Sequence, residues 1–107
     1  HEAGNAVDEL AWPMPLLPAF EKEMTDSKIA DTRNLGAGRW GGANTAAAFL
    51  KQFVPNRNYD EDGEQITWAH MDIAGTYWGA KTNTMVGNGA TGIHVRTMYH
   101  LITNWNN

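Results

Sequence analysis

Apolar residues recur at helical spacing in three places along the chain. Ala46, Phe49, Leu50, Phe53 and Val54 fall at i, i+3, i+4, i+7 and i+8. This spacing predicts a helix that turns an apolar stripe toward a core, and Pro55 ends it. Val95, Met98, Ile102 and Trp105 predict a last helix opened by the Thr91-Gly92 step. A shorter one is expected from Pro18, suited to a first helical position, to about Ser27, with Phe20 and Met24 inward and Glu21, Lys22 and Glu23 outward. Between the second and third of these in chain order, Ile66 to Ala74 has strand character. A period of two puts Thr67, Ala69, Met71 and Ile73 on one face and Ile66, Trp68, His70, Asp72 and Ala74 on the other. Neither face is cleanly polar, so a central strand covered on both sides is expected, which makes the fold class α/β. Open α/β sheets place ligands beyond the carboxyl ends of their strands, which here means Ala74 to Trp78.

The remaining stretches read as connections. Gly4 and Asn5 are helix-ending residues, so His1 to Ala3 are expected to be the last turn of a helix whose body lies upstream, or else a product of processing. Trp12 to Pro18 is proline-rich and must be an edge or a connector. Lys28 to Leu35 fits a short strand or an extended segment. Residues 56–65 form a polar acidic surface loop, and Gly79 to Ala90 is the expected mobile lid.

Length and composition narrow the field. At 107 residues the chain suits one small domain. A domain of that size buries roughly 60–65% of its unfolded surface and is marginally stable alone. The net charge of −4 argues against a nucleic-acid partner or an anionic membrane surface. No apolar run approaches the ~20 residues of a membrane span. There are no cysteines, which excludes disulfides and thiolate metal sites and suits a cytoplasmic location.

Several motifs invite chemistry. Gly36, Gly38 and Gly41 spell GxGxxG before a helix, with Asp60 nineteen residues further on. That is the spacing of a dinucleotide-binding fingerprint. Its context is wrong, because Asp31-Thr32-Arg33-Asn34 is polar where a buried strand is needed. A glycine turn that starts a helix close to its neighbours is the simpler reading. His70 and Asp72 share a strand face and read as a hydrogen-bonded structural pair. His94 and His100, six apart on a helix, diverge by about 120° and cannot form a helical metal pair. Ser27 is the sole serine, so nucleophilic triads are out of reach. The cluster Asp60-Glu61-Asp62-Glu64 lacks the ligand spacing of a calcium loop. From residues alone, the chain is an α/β piece with a candidate cleft and no catalytic apparatus.

Three ordered blocks carry a resemblance. They are Asn34-Leu35-Gly36 running through Gly42-Ala43-Asn44-Thr45 to Leu50, Trp68-Ala-His-Met-Asp-Ile-Ala-Gly-Thr76, and Gly89-Ala-Thr-Gly92 with Val95-Arg96-Thr97. Together with Met14-Pro15-Leu16 they closely resemble the C-terminal part of the leucyl (cytosol) aminopeptidase family, from about Trp12 to Ile102. Pro13, Asn88 and Ile93-His94 depart from the family pattern, and the 56–65 loop is longer than usual.

The resemblance implies a mixed β-sheet flanked by helices, an α/β/α sandwich of which residues 1–107 are a C-terminal portion. It implies a two-metal exopeptidase, loaded with zinc or manganese, that removes leucine-like N-terminal residues from peptides and assembles as a cytoplasmic homohexamer. The family's metal-binding lysine, aspartates and glutamate, and its arginine-bearing NTDAEGR-type motif, have no match here. By family order they lie upstream of His1, and the chain matches the last third of such an enzyme. What can be carried over is pocket wall. Ala74, with the adjoining Gly75, and Tyr77 match positions around the pocket for the substrate's first side chain, and Leu35 matches one beside the leaving residue. The alternatives are a non-catalytic binding protein on the same scaffold and a nucleotide-binding module through Gly36 to Gly41.

Overall fold

The computed structural model describes residues 1–55, 66–79 and 88–105. It contains four helices, α1 (Glu2–Ala6), α2 (Pro18–Thr25), α3 (Gly42–Lys51) and α4 (Val95–Thr103). The chain divides into two compact units, one formed by His1–Pro13 with Asp72–Asn107 and the other by Met14–Met71.

The Met14–Met71 unit is built on α2 against α3. Pro18 occupies the start of α2, where its missing N–H costs nothing. The hydroxyl of Thr25 donates back to the carbonyls of Glu21 and Lys22 in the last turn. Beyond it the chain folds back, and the Arg33 N–H and the Thr32 hydroxyl donate to the Met24 carbonyl at 2.7 and 3.0 Å. Glu23 accepts from the Ala37 N–H at 2.6 Å. Met24 and Ala48 are the buried apolar residues, and Thr45 and Asn44 are buried beside them on α3. Lys51 of α3 pairs with Glu21 of α2 at 2.6 Å. Gly41 precedes α3 at φ +72°, a left-handed conformation that a side chain would strain.

The second unit packs α1 against α4. Contrary to the expectation from sequence, α1 continues through Gly4 and Asn5 instead of ending there. A Cβ on Gly4 would lie 2.6 Å from the Glu9 carbonyl oxygen, so glycine is present for close approach.

Helix positions follow the sequence reading, and Met24 of α2 faces inward as expected, but the facing of α3 and α4 differs. The stripe of α3 was expected inward, yet Ala46, Leu50 and Phe53 are exposed and the small residues Thr45 and Ala48 are buried. Small side chains let α3 approach Met24 closely. On α4, Val95, Met98 and Ile102, with Trp105 just beyond, are likewise exposed, while Thr97 is buried. A periodicity argument supposes that the apolar face meets a partner surface; among the described residues that face of α3 is covered only in part, with Phe49 and Val54 half-buried.

The expected central strand is also absent from the described residues. Ile66 to Ala74 carries no strand pairing, and most of its side chains are half-buried or exposed. A strand needs a neighbouring strand to take its N–H and C=O groups, and the described residues supply only local partners, such as the Pro55 carbonyl for the Ile66 N–H at 3.3 Å. Lys28 to Leu35 forms bends rather than a strand. The α/β class is therefore not seen in this part of the chain; its pairing is one antiparallel bridge, Trp78 to Ala90, among the described residues. The acidic 56–65 loop, Asp60 with it, and most of the expected lid, residues 80–87, lie outside the described residues.

Candidate functional site: the turn at Ala74 to Tyr77

The segment from Asp72 to Gly79 is shaped by its own polar groups. An Asp72 carboxylate oxygen accepts from the Ala74 N–H at 2.9 Å, which turns the chain at the end of the Trp68–Thr76 block. The Thr76 and Tyr77 N–H groups both donate to the Ile73 carbonyl, at 2.9 and 3.0 Å. Thr91, from the distant Gly89–Gly92 block, then clamps this turn. Its hydroxyl donates to the Thr76 carbonyl at 2.8 Å and its N–H donates to the Tyr77 carbonyl at 2.8 Å. The same hydroxyl oxygen accepts from the Ile93 N–H at 3.2 Å. The Trp78–Ala90 bridge and a Gly79 N–H to Gly89 carbonyl bond continue the clamp. Two of the three motif blocks thus meet through backbone carbonyls, and Ala74, Gly75 and Tyr77 are presented on one exposed turn.

Leu35 belongs to the other unit. There it lines an open groove of about 550 Å³ with Ile29, Phe49 and Phe53, and Arg33 is the groove's charged residue. The groove suits an apolar side chain with a polar or anionic neighbour.

A buried polar network anchors α4 behind the turn. One oxygen of Glu9 accepts from the Thr97 N–H at 2.9 Å and from the Thr97 hydroxyl at 2.8 Å. The other oxygen accepts from Arg96 Nε at 3.2 Å. Because the Thr97 hydroxyl gives its proton to Glu9, it accepts from His94 Nδ1–H at 3.2 Å, which fixes the ring tautomer. Burial opposes charge on Glu9, but the Thr97 N–H, the Thr97 hydroxyl, and Arg96 through its hydrogen bond and its charge outweigh it. The carboxyl therefore titrates below its ordinary 4.5. Glu9 acts as a remote N-cap for α4, whose own N-cap residue, His94, makes no side-chain cap and sits at φ +66°.

Other sequence candidates find separate partners. The His70 ring stacks on Trp68, with centroids 6.2 Å apart, while Asp72 caps the turn, so the expected structural pair is replaced by two local contacts. His94 is buried at the start of α4 and His100 lies half-buried within it. The glycine run Gly36 to Gly41 follows bends rather than a strand, and Gly38 faces open space. Among the described residues, no group of three or more His, Asp or Glu side chains is placed to hold a metal ion. These residues therefore do not fit the two-metal centre that the resemblance implies.

Sequence reasoning missed Glu9, Thr97 and Thr91. Thr91 had a signal, being the hydroxyl residue before Gly92 inside a motif block. Thr97 lay in the Val95-Arg96-Thr97 block, but Glu9 had no signal, since their contact spans 88 positions.

Comparison with known proteins agrees with the motif blocks. The profile of the cytosol aminopeptidase family, catalytic domain, matches residues 1–99. A probable cytosol aminopeptidase of Afipia carboxidovorans is 44% identical over 101 residues, covering 94% of this chain and 18% of that protein. Proteins of the same description from Methylobacterium radiotolerans and Roseiflexus castenholzii are 42% and 43% identical over 102 and 104 residues. They match 95% and 96% of this chain and 18% and 19% of their own lengths. The chain thus spans about a fifth of the relatives it matches, a smaller share than the last third expected from motif order. Profile and relatives converge over the same blocks that build the turn at Ala74, and the chain belongs to the cytosol aminopeptidase family.

Proposed function

We propose that residues 1–107 are the C-terminal portion of a metallo-aminopeptidase catalytic domain that removes N-terminal residues, preferably leucine-like, from peptides. In the whole enzyme this segment supplies scaffold and pocket wall. Ala74, Gly75 and Tyr77 border the pocket for the first side chain, and Leu35 lies beside the leaving residue. Two divalent metal ions, zinc or manganese, are held by residues outside this segment. The whole enzyme is a cytoplasmic homohexamer with a mixed β-sheet flanked by helices, in which Ile66 to Ala74 becomes a paired strand. It binds neither nucleic acid nor membrane; no helix among the described residues is long and apolar enough to cross one.

The observation that carries this reading is the turn itself. Thr91 of one family block brackets the backbone of another and leaves Ala74, Gly75 and Tyr77 outward together. A methyl, a glycine and an aromatic ring make a small apolar wall of the kind that selects a side chain by size.

The test is Ala74→Phe in the complete enzyme, assayed with leucine and alanine p-nitroanilides. Added bulk should lower kcat/KM for leucine more than for alanine, changing their ratio about tenfold, within the ~1–3 kcal/mol that an apolar pocket discriminates per methylene. An unchanged ratio in a folded variant would remove Ala74 from the pocket. Equal losses for both substrates would indicate damage to folding instead.

A further inference from the structure

We infer that Thr91 is a positioning residue that sets substrate size selection by holding the Ala74–Tyr77 turn through its hydroxyl. This rests on the reading of that turn as pocket wall. The hydroxyl works in both directions: its one proton goes to the Thr76 carbonyl at 2.8 Å, and its oxygen accepts from the Ile93 N–H at 3.2 Å. The residue's own N–H takes the next carbonyl, that of Tyr77, at 2.8 Å. One side chain therefore fixes Thr76 directly and ties it to the Ile93 backbone, at the entry to α4, while its backbone fixes Tyr77.

Among the described residues, Ala74 and Gly75 have no comparable outside tether. The Ala74 N–H is held by Asp72 two residues away, and Gly75 has open space around its Cα. Their position then depends on the downstream end of the turn, where Thr91 grips it. The turn is exposed, so losing the hydroxyl would let water take the Thr76 carbonyl and would not unfold the unit. What would change is the placement of the wall, and misplacement of about 1 Å at a site costs up to ~100-fold in efficiency. Thr91 touches no substrate in this scheme; it acts through the turn.

The experiment uses the complete enzyme with Thr91→Val, which keeps the shape and removes the hydroxyl, and Thr91→Ser, which keeps the hydroxyl and removes the methyl. Ala74→Phe runs beside them. Leucine and alanine p-nitroanilides are the substrates, and kcat and KM are separated for each. Thr91→Val should raise KM for the leucine substrate and lower the Leu/Ala ratio of kcat/KM about tenfold with kcat nearly kept. Thr91→Ser should hold that ratio within about twofold of the parent. A parental ratio in Thr91→Val while Ala74→Phe shifts it overturns the role of Thr91 and leaves the pocket standing. Unchanged ratios in both variants remove the pocket reading, and this inference with it. A shifted ratio in Thr91→Ser beside a parental ratio in Thr91→Val would assign the effect to methyl packing and overturn the hydroxyl's part. Failure of both Thr91→Val and Thr91→Ser to fold would also overturn it, making Thr91 a folding residue.

Discussion

Removing the Glu9 carboxylate should loosen the start of α4 in a measurable way. Glu9 is 5% exposed and accepts two hydrogen bonds from Thr97, whose N–H is one of the four that an α-helix leaves without an internal partner. Glu9→Ala strands that N–H in a buried site, at a cost of ~1–3 kcal/mol, and the Thr97 hydroxyl adds a similar cost unless it turns elsewhere. Arg96 is half-exposed, so its lost contact adds less than ~1 kcal/mol. The sum is about 3 kcal/mol, with Glu9→Gln, which keeps one acceptor oxygen, costing about half as much. Amide exchange at Thr97 reads this directly, since 3 kcal/mol corresponds to roughly 150-fold faster local opening.

The pH dependence has a definite sign. A carboxyl held below its ordinary value stabilises the folded state above that value and loses the contribution as pH falls through the folded one. The gap between the parent and Glu9→Gln should therefore stay level from neutrality down to about pH 5 and close below it. Exchange at Thr97 within about threefold of the parent in Glu9→Ala would refute the capping argument, as would a gap that persists undiminished to pH 3.

Two glycines make sharper stability tests, and one motif a binding test. Gly4→Ala puts a Cβ 2.6 Å from the Glu9 carbonyl oxygen, so the backbone must shift; a loss of ~1–3 kcal/mol in urea unfolding is expected. Gly41→Ala must hold φ +72° and should cost ~1–2 kcal/mol, whereas Gly38→Ala, with open space around it, should be within ~0.5 kcal/mol of the parent. If Gly36 to Gly41 serves chain geometry, NAD or ATP at saturating levels should leave the melting temperature unchanged. A bound nucleotide would instead add about 2.7 kcal/mol at a hundredfold excess over Kd.

The helices were legible in sequence because their signals are local. Pro18 starts α2, the run before Pro55 contains α3, and the residues after Gly92 contain α4. The inward face of α2 was legible too, with Met24 buried, but that of α3 and α4 was not, because burial depends on what lies opposite. Thr45, Ala48 and Thr97 are small or polar, so periodicity ranks them below Phe53 and Ile102, yet they are the buried ones. Ile66 to Ala74 failed for a related reason. Alternation marks a segment able to pair, but pairing is made by a second segment that the alternation does not contain.

The site was legible to the same extent. That Ala74 to Tyr77 ends an apolar run at a glycine was visible, and so was the Gly89–Gly92 block, but nothing local joins them. They are joined by a hydroxyl and an N–H of Thr91 taking two successive carbonyls, a contact across about fifteen residues whose chemistry is carried by backbone atoms common to every sequence. Glu9 and Thr97 repeat the pattern at longer range, with a carboxylate supplying what the start of α4 lacks locally. In both cases the unpaired backbone groups are the demand, and a polar side chain remote in sequence satisfies it. Thr91 and Glu9 each meet such a demand, one at a turn and one at a helix start.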